Sequence, residues 1–129
     1  MLSAYIMNLA SKLWGKKWRT VTIWNLRDGP LRFSQLKALV PTCSVKVLSE
    51  VLRELERNKL IVRKQYEGIP VKVTYELHPD TVPLIDAQRV YHKALITYFL
   101  KHAKRFELPK EIIKELESSL LIVLYVTIG

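Results

Sequence analysis

Residues 44 to 58, SVKVLSEVLRELERN, carry Ser44, Lys46, Ser49, Glu50 and Arg53 where a helix would set them on one side. These groups can do the chemistry of base edges. Lysine and arginine donate to guanine O6 and N7, and a bidentate arginine contact discriminates by roughly 1–3 kcal/mol. The Glu50 carboxylate can accept a hydrogen bond from the cytosine N4 amino group, or hold Arg53 or Lys46 in place. On the other side Val45, Leu48, Leu52 and Leu55 recur every three or four residues, an apolar stripe meant for a core. The plainer alternative is a solvated face with ion pairs between Arg53 and Glu50 or Glu54, and between Arg57 and Glu54. For Glu54 and Arg57, late in the helix, that alternative is preferred. For Ser44, Lys46, Ser49 and Arg53 groove contact is preferred.

The next stretch changes period. Leu60 to Tyr66 reads as a strand, EGIP as a turn, and Val71 to Leu77 as the antiparallel partner, with Val71, Val73, Tyr75 and Leu77 alternating. Arg63, Lys64 and Lys72 are the cations nearest the turn, with Lys72 on the face opposite Val71 and Val73. On such a ribbon they would meet phosphates or the minor groove and set affinity and register more than sequence choice. The short turn carries a carboxylate, so contact by its flanks is expected rather than deep insertion. If LRF (31–33) adds a third short strand, Arg32 lies beside the ribbon as a further phosphate candidate, and Ser34 follows it.

Other elements must hold these groups. Leu2 to Trp14 has helical spacing and ends at Gly15; a second helix runs from about Lys17 to Arg27 and ends at Asp28-Gly29-Pro30. Ser34 is a suitable N-cap for a third helix, Gln35 to Val40, which Pro41 stops. Ser44 or Thr42 can cap the fourth. A short helix, a tight turn and a longer amphipathic helix make a helix-turn-helix, and the hairpin adds a wing. The expected fold is mainly α with a small β-hairpin wing. Residues 1–79 form the winged helix-turn-helix and 80–129 a helical dimerisation region within the same compact domain, with the first helix a possible contributor to the dimer.

Bulk properties agree with a nucleic-acid partner. The chain has 129 residues, 49% hydrophobic and 26% charged, with a net charge of +9. Residues 1–78 hold fourteen Lys and Arg against six Asp and Glu, while residues 79–129 hold seven against six. A surplus kept only for solubility has no reason to segregate, so the basic part is expected to face a polyanion. The longest uncharged apolar run, Leu120 to Ile128, has nine residues, and a membrane span takes about 20. The N-terminal basic residues follow the apolar stretch, the reverse of a secretory signal. One cysteine, Cys43, allows no internal disulfide and fits a reducing cytoplasm. His78, His92 and His102 have no metal-ligand spacing, and no nucleophile motif, carboxylate pair or glycine-rich phosphate loop is found. No enzyme activity, metal or cofactor is expected.

A long helix from about Thr81 to Ala103 carries Leu84, Ala87, Tyr91, Ala94, Leu95 and Tyr98 in one stripe, and Pro83 is tolerable in its first turn. Pro109 opens a last helix whose end, LLIVLYVTI with Leu120 and Leu124, is too apolar to leave in water. A two-fold dimer would bury both and set two recognition helices one DNA turn apart, about 34 Å.

Taken together, GKKW, GPLRFSQL, SVKVLSEVLRELERNKLIVRK and IPVKVTYELHP resemble the HxlR-type winged helix-turn-helix regulators, relatives of the MarR group, over residues 9 to 78. The resemblance implies a dimeric, DNA-binding transcription factor whose long C-terminal helix pairs two subunits. It places Ser44, Lys46, Ser49 and Arg53 in the base-reading part of the recognition helix, and Arg63, Lys64 and Lys72 on the wing. It makes Phe33 a buried anchor and Trp18 a helix-packing residue. Members of that family that sense oxidants carry a cysteine in the first helix, where this chain has YIMNLA, so redox sensing is not carried over. Cys43 reads as a small buried hydrophobe. The family's threonine and glycine after the second wing strand are replaced by ELHPDT, which leaves the lead into the long helix open. The expected function is sequence-specific binding of double-stranded DNA by a homodimer, without a membrane partner and with any small-molecule effector unknown. The alternatives are a winged-helix protein–protein module and a sequence-neutral architectural DNA-binding protein.

Overall fold

A computed structural model describes the backbone of residues 1–128 and the side chains through Ile122. Its elements in chain order are α1 (Leu2–Trp14), α2 (Lys17–Asn25), α3 (Phe33–Leu39), α4 (Val45–Arg57), β1 (Ile61–Tyr66), β2 (Lys72–Leu77), α5 (Val82–Lys101) and α6 (Lys110–Ile128). A single 3₁₀ turn, Pro79–Thr81, precedes α5. The chain divides into two compact units, Met1–Ile85 and Asp86–Gly129. Among the described residues no helix is long and apolar enough to cross a membrane.

In the first unit α4 packs on α2 and β1, and α3 packs on α2 and β2. The core is made where their apolar stripes converge: Ile23 and Leu26 near the end of α2, Leu36 from α3, Leu48, Leu52 and Leu55 from α4, with Leu60, Ile61 and Ile85. Trp18 and Phe33 are partly buried against it. Cys43, in the turn between α3 and α4, is part of this core at 1% exposure, so its thiol packs as a small apolar group.

The apolar stripe of α4 differs from the expected one at its first position. Leu48, Leu52 and Leu55 are at most 2% exposed and Val51 joins them, but Val45 is 57% exposed. The first turn extends past the edge of the core, so helical spacing alone does not bury it. α3 also begins earlier than its sequence suggests. Ser34 is not its cap: the N-cap is Arg32, whose backbone N–H donates to the Gln35 side-chain carbonyl at 2.8 Å. This is the side-chain-to-backbone half of a capping box, and it leaves the Ser34 hydroxyl exposed. α2 stops at Asn25, two residues before the expected end, where Leu26 and Arg27 bond back to Ile23 and Trp24 in a tighter turn.

One charged interaction ties three helices together. Arg19, 6% exposed on α2, donates from both Nη2 and Nε to the carboxylate of Glu54 on α4, the second bond at 3.1 Å. Its Nη1 donates to the Lys12 carbonyl on α1, one of the four carbonyls that the end of a helix leaves without an intrahelical partner. The Thr20 hydroxyl does the same for the Trp14 carbonyl. Glu54 is therefore held by a residue 35 positions away, not by the neighbouring Arg57. α1 ends at Gly15, where a Cβ would stand 2.5 Å from the Ser11 carbonyl oxygen.

The wing is a two-stranded antiparallel ribbon. α4 reaches it through Lys59, which adopts the left-handed conformation (φ 58°) while the Leu60 N–H closes on the Leu55 carbonyl at 2.9 Å, a Schellman-type ending built without glycine. Leu31 pairs with Tyr75 through two backbone bonds of 2.9 and 2.8 Å, so the third strand amounts to one residue. The lead into α5 uses the ELHPDT residues directly. Nδ1 of His78 accepts the Asp80 N–H, and the Thr81 hydroxyl donates to the Leu60 carbonyl at 2.8 Å.

Along α5, Ile85 and Ile96 are buried, whereas Leu84, Ala87, Tyr91, Ala94 and Tyr98 are exposed and Leu95 is half-buried. Leu120 is half-buried; Leu124 lies outside the described side chains. In the second unit Tyr98 and Phe99 form an aromatic group with His102 and Phe106, the Phe99 and Phe106 rings meeting edge-on at 5.1 Å.

Removing one partner from the Arg19–Glu54 pair leaves a charge that is costly to keep out of water. Arg19→Ala or Glu54→Ala should each lower unfolding free energy by about 2–4 kcal/mol in denaturant titrations. The pair Arg19→Met with Glu54→Leu should recover most of that loss.

Candidate nucleic-acid interface

Burial of the leucine side of α4 determines what its other side presents. Lys46, Glu50 and Arg53 are exposed and Ser49 is half-buried at the margin. Ser44 is the N-cap of α4, and its Oγ accepts the Val47 N–H at 3.1 Å. That bond uses a lone pair of the hydroxyl and leaves its proton free to donate outward. The helix starts with one side-chain acceptor satisfied and with cations at its second and ninth residues. Such an end can enter a groove of 12 Å or so.

The wing separates its cations by pleat. Arg63 faces Tyr75 across the ribbon, Lys64 faces Thr74, and Tyr66 faces Lys72. Residues directly opposite share a face and successive residues alternate. Lys64, Tyr66 and Lys72 thus lie on one face, and Arg63 on the other. Within reach of the tip, Lys72 Nζ sits 5.4 Å from the centre of the Tyr66 ring, a cation–π approach that steadies the ammonium. Arg63 donates from Nη1 to the Gln65 side-chain carbonyl at 3.3 Å. The turn exposes Ile69 completely.

Lys64 differs from the other two. Its Nζ is bonded to the carboxylate of Glu76, diagonal to it on the same face. That hydrogen bond, then the charge of Glu76, raises the Lys64 ammonium above its usual 10.5. Lys64 keeps its proton through neutral pH, but its field at a phosphate is partly cancelled. Arg32 is exposed next to Leu31, beside the ribbon, and Ser34 is exposed on the first turn of α3. Nine of the ten candidate groups are exposed, and Ser49 is half-buried. Among the described residues no cluster of His, Cys, Asp or Glu could hold a metal ion.

The profile of the HxlR-like helix-turn-helix family matches residues 13–92. The chain belongs to the HxlR-like helix-turn-helix family. It is 42% identical over 71 residues to the HTH-type transcriptional regulator YodB of Bacillus subtilis, a match covering 55% of this chain and 63% of that protein. It is 37% identical over 76 residues to an HTH-type transcriptional regulator of Methanothermobacter thermautotrophicus, covering 57% and 58%. The chain thus spans about three-fifths of the length of these curated relatives. The structure of reduced YodB superposes with a TM-score of 0.61 at 36% identity, covering 67% of this chain and 84% of that one. A protein described as a MarR-family transcriptional regulator from Enterococcus faecalis V583 superposes with a TM-score of 0.69 at 28% identity, covering 78% and 92%. Both likenesses agree with a mostly helical winged helix-turn-helix fold.

Sequence reasoning missed two features of this surface. Spacing places Val45 in the core, where the structure exposes it, and Glu54 pairs with Arg19, too distant in the chain for a local rule. Whether neighbouring strand residues point the same way was legible from the pleat, but only once the register was known.

The Glu76 carboxylate governs the Lys64 ammonium, so Glu76→Gln should return Lys64 to the ordinary lysine range, read by its side-chain titration in NMR. The raised folded value means that the pair's stabilisation is complete below the unfolded lysine pKa and is lost only as the pH rises through the folded one. Deprotonation of Lys64 at alkaline pH should therefore loosen this contact of the hairpin.

Proposed function

We propose that the chain is a homodimeric transcriptional regulator that binds a specific double-stranded DNA site with α4 in the major groove. The wing lies on the sugar–phosphate backbone or at the minor-groove edge, and regulation follows from occupancy of a (pseudo)palindromic operator. The observation that carries this reading is the placement of Lys46 and Arg53 on the one side of α4 that the core does not use, next to a ribbon bearing Arg63 and Lys72. Family membership supports it, as do the relatives named as transcriptional regulators.

In this reading Lys46, Ser49 and Arg53 meet base edges, with Glu50 as a cytosine acceptor or as a brace for its neighbours. Ser44, Ser34 and Arg32 approach the backbone at the ends of α4 and α3. Arg63 and Lys72, on opposite faces of the ribbon, meet different phosphates, while Lys64 contributes less because Glu76 holds it. The dimer rests on the α5 stripe. Leu84, Ala87, Tyr91, Ala94, Leu95 and Tyr98 lie on one side of that helix, and Ile85 and Ile96, its buried residues, on the other. Tyr5, Ile6 and Leu9 of α1 are exposed as well. The C-terminal segment from Leu120 would add to the dimer.

Selection of bound sequences from a random duplex pool should return an inverted repeat with half-sites about one turn apart; recovery of no consensus would overturn the specific reading. Lys46→Ala or Arg53→Ala should weaken the selected site by about 1–3 kcal/mol while changing random-duplex binding less. Arg63→Ala or Lys72→Ala should weaken both alike. Tyr91→Asp combined with Tyr98→Asp should convert the protein to a monomer in sedimentation equilibrium and lower its affinity for the full repeat more than for an isolated half-site.

A further inference from the structure

We infer that Val45 is a specificity residue that recognises the C5-methyl group of a thymine in the major groove. The inference rests on the DNA-binding reading of α4 and names what one part of that surface selects.

Val45 is the first residue of α4 and is 57% exposed, whereas its apolar successors Leu48 and Leu52 are fully buried. A lone exposed valine is unremarkable on most helices. Here its position distinguishes it. At about 100° per residue, Val45 stands about 20° from the buried Leu52 and about 40° from Ser49, and about 80–100° from Arg53 and Lys46, where the apolar stripe borders the cationic side. Val47, the other exposed apolar residue of α4, lies about 200° from Val45, beside Glu50 and Glu54. Val45 is thus the exposed valine nearer to Ser49 and Arg53, while Lys46 lies about 100° from either valine.

The chemistry of the set leaves it a role. Lysine and arginine address guanine, a carboxylate addresses cytosine, and serine is indifferent between base pairs. None of these separates thymine from cytosine by its methyl group. An apolar side chain does, because a methyl pressed against it leaves water while a bare C5 offers nothing to bury. Valine suits the task at the start of a helix. Its β-branched side chain has few rotamers to lose, and the Ser44 cap holds the backbone beside it.

The experiment uses the full chain and the duplex recovered by site selection. Each thymine of a half-site is replaced in turn by deoxyuridine, which removes the methyl and keeps every hydrogen-bonding group. The wild type should lose about three- to fivefold in affinity at one thymine per half-site, the amount expected for about one buried methyl, and be indifferent at the others. Val45→Ala should bind the thymine and deoxyuridine forms of that position within about 1.5-fold of each other. Val45→Thr, which keeps one methyl, should retain part of the preference. Thermal unfolding of the variants guards against misfolding, and the exposure of Val45 argues that they will be stable. A wild type indifferent to every replacement, a consensus without thymine, or a Val45→Ala protein that keeps the full preference would each overturn the inference. If Lys46→Ala and Arg53→Ala still weaken the selected site in those cases, the DNA-binding reading survives. If no duplex is retained at low salt by any version, both fall together.

Discussion

Rotation of α4 about its own axis is set by three leucines. Leu48, Leu52 and Leu55 are buried at 0 to 2% exposure, and a turn of the helix by even one residue position would bring a charged side chain into their place. The cost of burying an unpaired lysine or arginine far exceeds any gain on the outer side. The fork between Arg19 and Glu54 secures the same helix from its flank and joins it to α2, and through the Lys12 carbonyl to α1. The outward aim of Lys46 and Arg53 is thus a consequence of packing, not a property of those residues alone. Function in this fold starts from the core.

Much of this could be read from residue types. The Ser44 cap, the span of α4, the two wing strands and the break at Gly15 follow from local rules, because each depends on residues within a few positions of one another. The features that escaped depend on distance or on edges. Glu54 looked like a partner for Arg57 by helical spacing, but a buried arginine 35 positions earlier offers two bonds and an anchored side chain, which a solvated neighbour does not. Val45 matched the apolar period of its helix while lying past the limit of the core. Ser34 has the residue type of a cap, yet Phe33 is drawn against the core and starts α3 two residues sooner, with Gln35 satisfying the Arg32 N–H. Of the proposed interface, residue identities and most of their exposure follow from helical spacing; the division of the wing cations between two faces depends on the strand register.

Family membership covers the winged part of the chain more closely than the rest. The match ends at residue 92, inside α5, and beyond it the sequence has its own aromatic group around Tyr98 and Phe106. The single thiol, Cys43, is packed between α3 and α4 rather than on the first helix. The same winged frame is thus joined to a second unit whose exposed stripe carries the pairing role proposed for it.

The central claim is that an outward cationic surface, formed by α4 and the ribbon, neutralises phosphates. It is tested most directly by measuring retention of a random duplex as salt is raised, for the wild type and for a chain with Lys46, Arg53, Arg63 and Lys72 all changed to Ala. The account predicts that log K falls linearly with log salt for the wild type, and that the slope of the variant is shallower by about two, the share of the two wing cations that meet phosphates. A wild-type affinity indifferent to salt, or a variant that keeps the full slope, would contradict it.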